Sequence, residues 1–241
     1  MFKIKIADLI IEIHNKYDFV EKQCADYITD NLVEADFSVS ASETDIEQEK
    51  SVAIGSFSDG YLESVCIYRN ISYQLPKFNA FVFHAALVSV DNQAYAFTAK
   101  SGVGKSTHIR LWKELFGEKA QIVNGDKPIL RIINDKVFAY GTPWCGKEGY
   151  NINTSVPLKA ICFIERGEVD EIDVFDKSLA ARSIIHQIVI PKTSEATALT
   201  LSLLDFTLKN TDVWKLKCTI DINAAKLSYN AMKGGQNCNE N

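Results

Sequence analysis

The chain has 241 residues, of which 46% are hydrophobic and 24% are charged, and its formal net charge is −5. These proportions are ordinary for a globular protein and exclude collagen-like and wholly disordered chains. The acidic balance also argues against nucleic acid as the main partner, because surfaces that bind nucleic acid are basic.

Two features of the sequence indicate the compartment. Charged residues interrupt the apolar residues of the first 19 positions, so the apolar core of a secretory signal is missing, and no run approaches about 18 apolar residues. No two cysteines share a C-x-x-C spacing, so we expect reduced thiols and not a disulfide framework or a zinc site. The sequence therefore predicts a cytoplasmic protein without a membrane partner. The cysteines are Cys24, Cys66, Cys145, Cys162, Cys218 and Cys238.

Residues 1–77 are predicted to form an N-terminal α+β extension. Phe2, Ile4 and Ile6 alternate with lysines, as in a half-buried strand. Apolar residues recur at helical spacing over 18–32, which predicts an amphipathic helix. The acidic stretch 38–50 is interpreted as a solvated loop or an exposed helix face.

Residues 78–233 are predicted to form an α/β domain with a mixed sheet. Two β-prone runs, 78–90 and 93–99, flank the turn signal Asp91-Asn92 and predict an antiparallel hairpin. A helix follows and ends near Gly117. Further strands are expected at 121–124, 128–134, 136–142, 159–166 and 214–220, and further helices at 177–190, 197–207 and 221–232. Residues 234–241 are predicted to be a disordered tail.

The segment 99–107, AKSGVGKST, carries the clearest chemical signal. It matches the P-loop pattern G-x-x-x-x-G-K-[ST] except that Ala99 replaces the first glycine. Its glycines let backbone amides point into one concavity that can hold phosphate oxygens, next to the positive end of a helix. An accidental glycine turn is the alternative. The residues predicted to bind nucleotide are Ser101, Gly102, Val103, Gly104, Lys105, Ser106 and Thr107; Lys105 would reach the β- and γ-phosphates, and Ser106 would ligate Mg²⁺.

The order of hairpin, loop and helix resembles the catalytic domain of HPr kinase/phosphorylase and its wider group, which includes ATP-dependent phosphoenolpyruvate carboxykinases. In common P-loop NTPases the strand that enters the loop belongs to a parallel sheet, whereas here a hairpin enters the form S-G-x-G-K-S. His84 lies in the first hairpin strand, where the family carries a histidine. The resemblance covers roughly residues 78–165. It implies a kinase fold with ATP and Mg²⁺ as cofactors.

Asp126, in the sequence VNGDK, matches one of the two acidic residues that the family carries after a strand, and the first acidic position is replaced. The resemblance implies that Asp126 ligates the metal together with Ser106 and accepts the proton of a substrate hydroxyl. Lys105 and His84 complete the predicted catalytic set, and His84 would orient or tune Asp126. Two alternatives stay open: Asp126 caps a turn, or His84 is a hydrogen-bonded core residue.

Three further residues are candidates for substrate contacts. The glycine-rich loop 141–150 contains Trp144, which could stack on a base or ligand or else be pinned to the core, and Lys147, which could neutralise phosphate charge. Arg166 follows a predicted strand, where it could stabilise the transferred phosphoryl group or form a rim ion pair.

The leading hypothesis is a kinase that phosphorylates a serine-type hydroxyl of a protein, peptide or small molecule, in a chain that could form a homo-oligomer. A non-catalytic nucleotide sensor is the alternative, because Ala99 and the replaced acidic residue can mark lost catalysis. Carboxykinase chemistry on a small oxyacid ranks lower, because the chain is shorter than those enzymes. HPr itself is not expected as the acceptor, because the region after Arg166 has no recognisable counterpart of the phosphorolysis segment.

Overall fold

The computed structural model describes residues 1–30 and 32–235, and over these residues strands and helices intermingle in a mixed α/β fold with two sheets. Residues 236–241 of the predicted tail, and with them Cys238, lie outside the described part of the chain. The other five cysteines are free and buried. Among the described residues, no helix has both the length and the apolar character that crossing a bilayer requires.

The N-terminal part forms a three-stranded sheet. Strand β1 (Phe2–Ile6) pairs antiparallel with β2 (Leu9–His14), and β2 pairs parallel with β3 (Phe37–Ser40). Alternate residues of β1 are buried, as the side-chain period of two dictates, so the predicted half-buried strand is confirmed.

Three helices cover this sheet: α1 (Asp18–Gln23), α2 (Glu43–Val52) and α3 (Asp59–Gln74). The predicted helix over 18–32 is wrong in length, because Ile28 forms a β-bridge with Ile4 and the chain must leave the helix before it. Ser42 begins α2 with a capping box, so residues 43–50 of the acidic stretch form a helix, the second of the two alternatives, whereas residues 38–40 belong to β3.

The larger sheet has nine strands in the order β4-β8-β9-β10-β6-β5-β7, with β12 beside β10 and β11 beside β12. Its helices are α4 to α7. The strands are β4 (Ala80–Val82), β5 (Ala86–Val90), β6 (Gln93–Thr98), β7 (Ala120–Asn124), β8 (Ile129–Ile133), β9 (Lys136–Tyr140), β10 (Ser155–Arg166), β11 (Glu171–Val174) and β12 (Asp212–Cys218); the helices are α4 (Lys105–Phe116), α5 (Lys177–Ile184), α6 (Ser194–Asn210) and α7 (Ile222–Gly234).

Strand β10 joins the two halves of this sheet. Its first residues, 155–157, pair antiparallel with β9, whereas residues 158–166 pair parallel with β6 on one side and β12 on the other. The sheet is therefore mixed, as predicted. Strands β5 and β6 form the predicted antiparallel hairpin, with Val90 opposite Gln93.

Two predicted elements are interrupted. The run 78–90 is not one strand but two, because β4 pairs with β8 while β5 pairs with β6 and β7. The predicted helix 177–190 ends at Ile184, after which Phe83 and Ile188 form a β-bridge. The first break has a consequence for the site, because His84 lies in it.

Apolar residues on both faces of the large sheet form separate cores. Helices α4 and α7 cover one face, where Trp112, Ile109 and Met232 are fully buried, and α5 and α6 cover the other. The N-terminal sheet and α3 share a third core with Val82 and Trp144 of the large sheet region. The boundary predicted after residue 77 stays a prediction.

Candidate functional site

The β5–β6 hairpin leads into residues 99–104, here called the glycine loop, and α4 begins directly after them. Gly102 and Gly104 have φ angles of +78° and +130°, and a Cβ at either position would meet no atom within 4 Å. The loop therefore needs glycine for its backbone conformation and not for space. The amide of Val103 donates to the carbonyl of Lys100 (3.3 Å), so it is engaged within the loop.

Arg166, at the end of β10, holds the glycine loop from the adjacent strand. Its Nε donates to the carbonyl oxygen of Val103 (3.2 Å) and its Nη2 to that of Gly102 (2.5 Å). Because Arg166 donates to both carbonyl oxygens, it fixes the orientation of the loop backbone. The structure thus places this predicted residue against the loop backbone, and its role toward a transferred phosphoryl group stays a prediction.

Three of the predicted residues, from three separate segments, meet at one point. Lys105 Nζ lies 3.0 Å from His84 Nε2, and the same ring nitrogen lies 3.0 Å from Asp126 Oδ1. Lys105 is the first residue of α4, His84 lies between β4 and β5, and Asp126 lies in the turn after β7.

The His84 ring is fixed from its other nitrogen. Nδ1 lies 2.8 Å from Gln187 Oε1, and the backbone amide of His84 donates to the carbonyl of Gln187 (2.6 Å). A ring that bears protons on both nitrogens donates to Gln187 and Asp126 together. A ring without a proton on Nε2 accepts a hydrogen bond from Lys105 instead. The presence of a proton on this nitrogen therefore decides whether His84 binds Asp126 or Lys105.

The carboxylate of Asp126 is held in its charged form. Burial by itself opposes the charge, but the hydrogen bond with His84 and the charge of Lys127, whose Nζ lies 2.5 Å from Oδ2, outweigh it and lower the pKa of Asp126. Burial lowers the pKa of Lys105 from its ordinary value, and the charge of Asp126 opposes that shift.

Asn124, and not Asp126, caps the turn after β7. Its Oδ1 accepts from the amides of Asp126 (2.9 Å) and Lys127 (2.7 Å), while its Nδ2 donates to the carbonyl of Thr142 (2.9 Å). Asn124 is fully buried. The turn is therefore complete without the Asp126 side chain, which points to His84.

The residue before Asp126 is Gly125, and the structure explains why it carries no side chain. A Cβ there would lie 2.6 Å from the carbonyl oxygen of Cys145. A second acidic residue directly before Asp126 would require the backbone of the 141–150 loop to move.

The 141–150 loop lies beside this site. Trp144 is 7% exposed, and its Nε1 donates to Ser64 Oγ (2.9 Å), so it is packed in the core shared with the N-terminal sheet. Lys147 is exposed. Both line a cavity of about 780 Å³ that Asp126 and Lys127 also line.

Sequence reasoning missed two residues of this cluster. Lys127 directly follows Asp126, so its position in the sequence indicates a charge partner for the carboxylate. Gln187 is separated from His84 by 103 positions, and no local pattern connects them.

Comparison with known proteins gives a family and a distant structural likeness. A family model described as "SynChlorMet cassette protein ScmC" matches residues 61–230, which is more than half of the chain. No curated protein matches the chain. Among solved structures, the Hpr(Ser) kinase/phosphatase from Coxiella burnetii matches over 52% of this chain and 93% of its own, with 13% identity and a TM-score of 0.28, too low to indicate function.

Proposed function

The chain belongs to the SynChlorMet cassette protein ScmC family, and we propose that it is a phosphotransferase that moves the γ-phosphoryl group of ATP to a serine-type hydroxyl. One observation carries the proposal: Lys105, His84 and Asp126 meet through contacts of 3.0 Å. A P-loop lysine reaches the terminal phosphates of a nucleotide, so a carboxylate separated from it by a single imidazole lies where an acceptor hydroxyl must approach.

The glycine loop and the start of α4 form the phosphate-binding part of the site. Backbone amides and the positive end of the 12-residue helix α4 favour phosphate oxygens. Lys105 is 8% exposed, so its charge acts in a poorly solvated position, where a phosphate is a strong partner. Arg166 keeps the loop carbonyls turned away from the bound anion.

Asp126 accepts a hydrogen bond from the acceptor hydroxyl and orients its oxygen toward the γ-phosphorus. His84 and Lys127 fix the position of the carboxylate, because each binds a different one of its oxygens. His84 Nε2 lies 3.0 Å from Lys105 Nζ as well as from Asp126 Oδ1, so one imidazole sets the spacing between the group that binds phosphate and the group that binds the hydroxyl.

The residues present fit a Mg²⁺ ion that arrives with the nucleotide. Ser106 follows Lys105 on α4, and Asp126 is ionised; Mg²⁺ is usually held by one or two carboxylates together with phosphate oxygens and water. Within residues 1–30 and 32–235, no group of three His, Cys, Asp or Glu side chains could hold a metal alone. Phosphate oxygens and water would complete the coordination of a Mg²⁺ ion held by Ser106 and Asp126. Bound Mg²⁺ would neutralise charge on the β- and γ-phosphates.

Two substitutions test the proposal. Lys105→Ala should weaken ATP binding by about tenfold or more, because the buried cation is lost. Asp126→Asn should bind ATP with nearly wild-type affinity, while transfer of label from γ-labelled ATP to acceptors in a cell extract falls by about 10²-fold or more. Asp135→Asn, in the exposed turn between β8 and β9, is the matched control and should change neither. Wild-type transfer by Asp126→Asn would refute the role of the carboxylate.

A nucleotide sensor is the second candidate, and the observation that favours it is Gly125. A side chain at this position would meet the carbonyl of Cys145, so the turn has a single carboxylate, that of Asp126. With two carboxylates, one could bind the metal while the other activates the hydroxyl. ATP binding by the wild-type protein without transfer to any acceptor, together with an ATP-dependent change in protease resistance, would select this function.

A further inference from the structure

A cavity of about 780 Å³ separates the N-terminal helices from the 141–150 loop, and Asp126 forms part of its wall. This volume is typical of pockets that enclose a ligand of drug size. Among the described residues that line the cavity, none belongs to the glycine loop. The cavity is therefore separate from the loop that is proposed to bind phosphate, and Asp126 is the residue of the Lys105–His84–Asp126 cluster that lies in its wall.

Three aromatic side chains of the N-terminal extension form a row along this cavity. The rings of Phe57 and Tyr61 stack with centroids 5.0 Å apart, and Phe19 meets Tyr61 edge-on at 6.0 Å. Phe19, Phe57 and Tyr61 are 41%, 42% and 41% exposed. Exposed aromatic side chains in such a row are typical of surfaces that bind an apolar partner.

The inner wall of the cavity is fixed by hydrogen bonds. Trp144 donates to Ser64, Ser64 donates to Gln23 Oε1 (2.5 Å), and Gln23 donates to the carbonyl of Pro143 (3.2 Å). The ring of Tyr68 lies 5.5 Å from that of Trp144. A wall that is already ordered loses little entropy when a ligand binds.

We propose, resting on the proposed function, that this cavity binds the acceptor as an extended peptide segment with aromatic or large aliphatic side chains beside the phosphorylated serine or threonine. A peptide can place its hydroxyl at Asp126 while neighbouring side chains pack against Trp144 and Tyr68 inside and against Phe57 and Tyr61 outside. A single small molecule would leave the exposed row uncovered. In this arrangement the N-terminal extension selects the peptide, and residues of the large-sheet region carry out the phosphoryl transfer.

Peptide binding without nucleotide tests this inference independently of phosphoryl transfer. The probe is a fluorescein-labelled peptide with a central serine flanked on each side by two phenylalanines. The control peptide has asparagine in place of the four phenylalanines. Fluorescence polarisation should give about tenfold tighter binding for the phenylalanine peptide. Phe57→Ser and Tyr61→Ser should each weaken it by about three- to tenfold, the range for loss of one aromatic pair.

Leu199→Ser is the matched control, because Leu199 is 39% exposed on α6 and does not line the cavity. It should bind the phenylalanine peptide as the wild type does. Equal affinity for the two peptides, or unchanged binding by both aromatic variants, overturns the inference even if the chain transfers phosphate. If phenylalaninamide binds as tightly as the peptide, the occupant is a small aromatic compound and the peptide assignment is wrong. If the wild-type protein binds the phenylalanine peptide as expected but transfers no phosphate, the inference about the cavity stands and the proposed function is refuted.

Discussion

Acidification should destabilise the protein through one buried histidine on the helix that follows the glycine loop. His108 Nε2 lies 3.0 Å from Ser228 Oγ and accepts from Trp112 Nε1 (3.3 Å), so the neutral ring fits this core and the charged ring does not. Burial lowers the pKa of His108 to about 4. An unfolded histidine binds its proton near pH 6.5, so the stabilisation is complete above that pH and is lost as the pH falls toward 4.

The magnitude follows from these two pKa values. The pKa of His108 is 6.5 in the unfolded chain and about 4 in the folded one. Proton uptake by the unfolded chain therefore lowers the free energy of unfolding by about 2 kcal/mol between pH 7.5 and pH 5. Urea unfolding at both pH values should show this loss in the wild type and a smaller one in His108→Gln, whose side chain does not titrate. His14→Gln, an exposed histidine, is the control and should behave as the wild type does. A loss of equal size in His108→Gln would refute the assignment to His108.

Three further outcomes follow from the site. Gly125→Ala should lower stability by about 1–3 kcal/mol in thermal unfolding, because its Cβ would lie 2.6 Å from the carbonyl of Cys145; an unchanged Tm would contradict this contact. Arg166→Ala should weaken ATP binding about tenfold in calorimetry while stability changes by less than about 1 kcal/mol, and Arg166→Lys should not restore binding, because a lysine cannot span both loop carbonyls. Trp144→Phe should cost about 1–2 kcal/mol through its lost hydrogen bond to buried Ser64, and in a double-mutant cycle Ser64→Ala should add less to it than to the wild type.

The parts of the fold that the sequence predicts well are those with local signals. The turn Asp91-Asn92 marks the β5–β6 hairpin, with both residues at positive φ, and the apolar face of α4 marks the helix after the glycine loop. Helix α3 went unpredicted because its buried face includes Glu63, Ser64 and Ser72. Glu63 is buried because it accepts from two backbone amides far away in sequence, a contact that no periodicity reveals.

Non-local pairing also decides where predicted elements end. Residues 78–90 look like one strand because most of them are apolar or β-prone, but β4 and β5 have different partners in the sheet. Their division leaves His84 outside both strands, where its side chain can reach Lys105 and Asp126. The sequence thus indicates His84 as a candidate while predicting the wrong local structure around it.

The candidate site was predictable to the extent that its residues lie in recognisable patterns. Lys105 and Asp126 follow strands in a known order, so their proximity could be expected. Arg166 was identified, but its contacts with the loop carbonyls depend on the parallel pairing of β10 with β6, which the sequence does not specify. No sequence pattern predicts the aromatic row, because Phe19 and Phe57 belong to separate segments that only the tertiary fold joins.

The low pKa of Asp126 constrains how the proposed transfer can proceed. A carboxylate that His84 and Lys127 stabilise in its charged form is a weak base, so it gains little by removing the hydroxyl proton before the phosphoryl group moves. In a loose phosphoryl-transfer transition state the nucleophile needs orientation more than early deprotonation, and a fixed, charged acceptor supplies that. The lowered pKa also keeps Asp126 ionised throughout the range in which an ordinary carboxyl group would begin to take up its proton. Its protonation should therefore leave kcat unaffected down to about pH 5, and Lys127→Ala should move the acid limb of the kcat profile upward, because a cation that stabilises the carboxylate is lost.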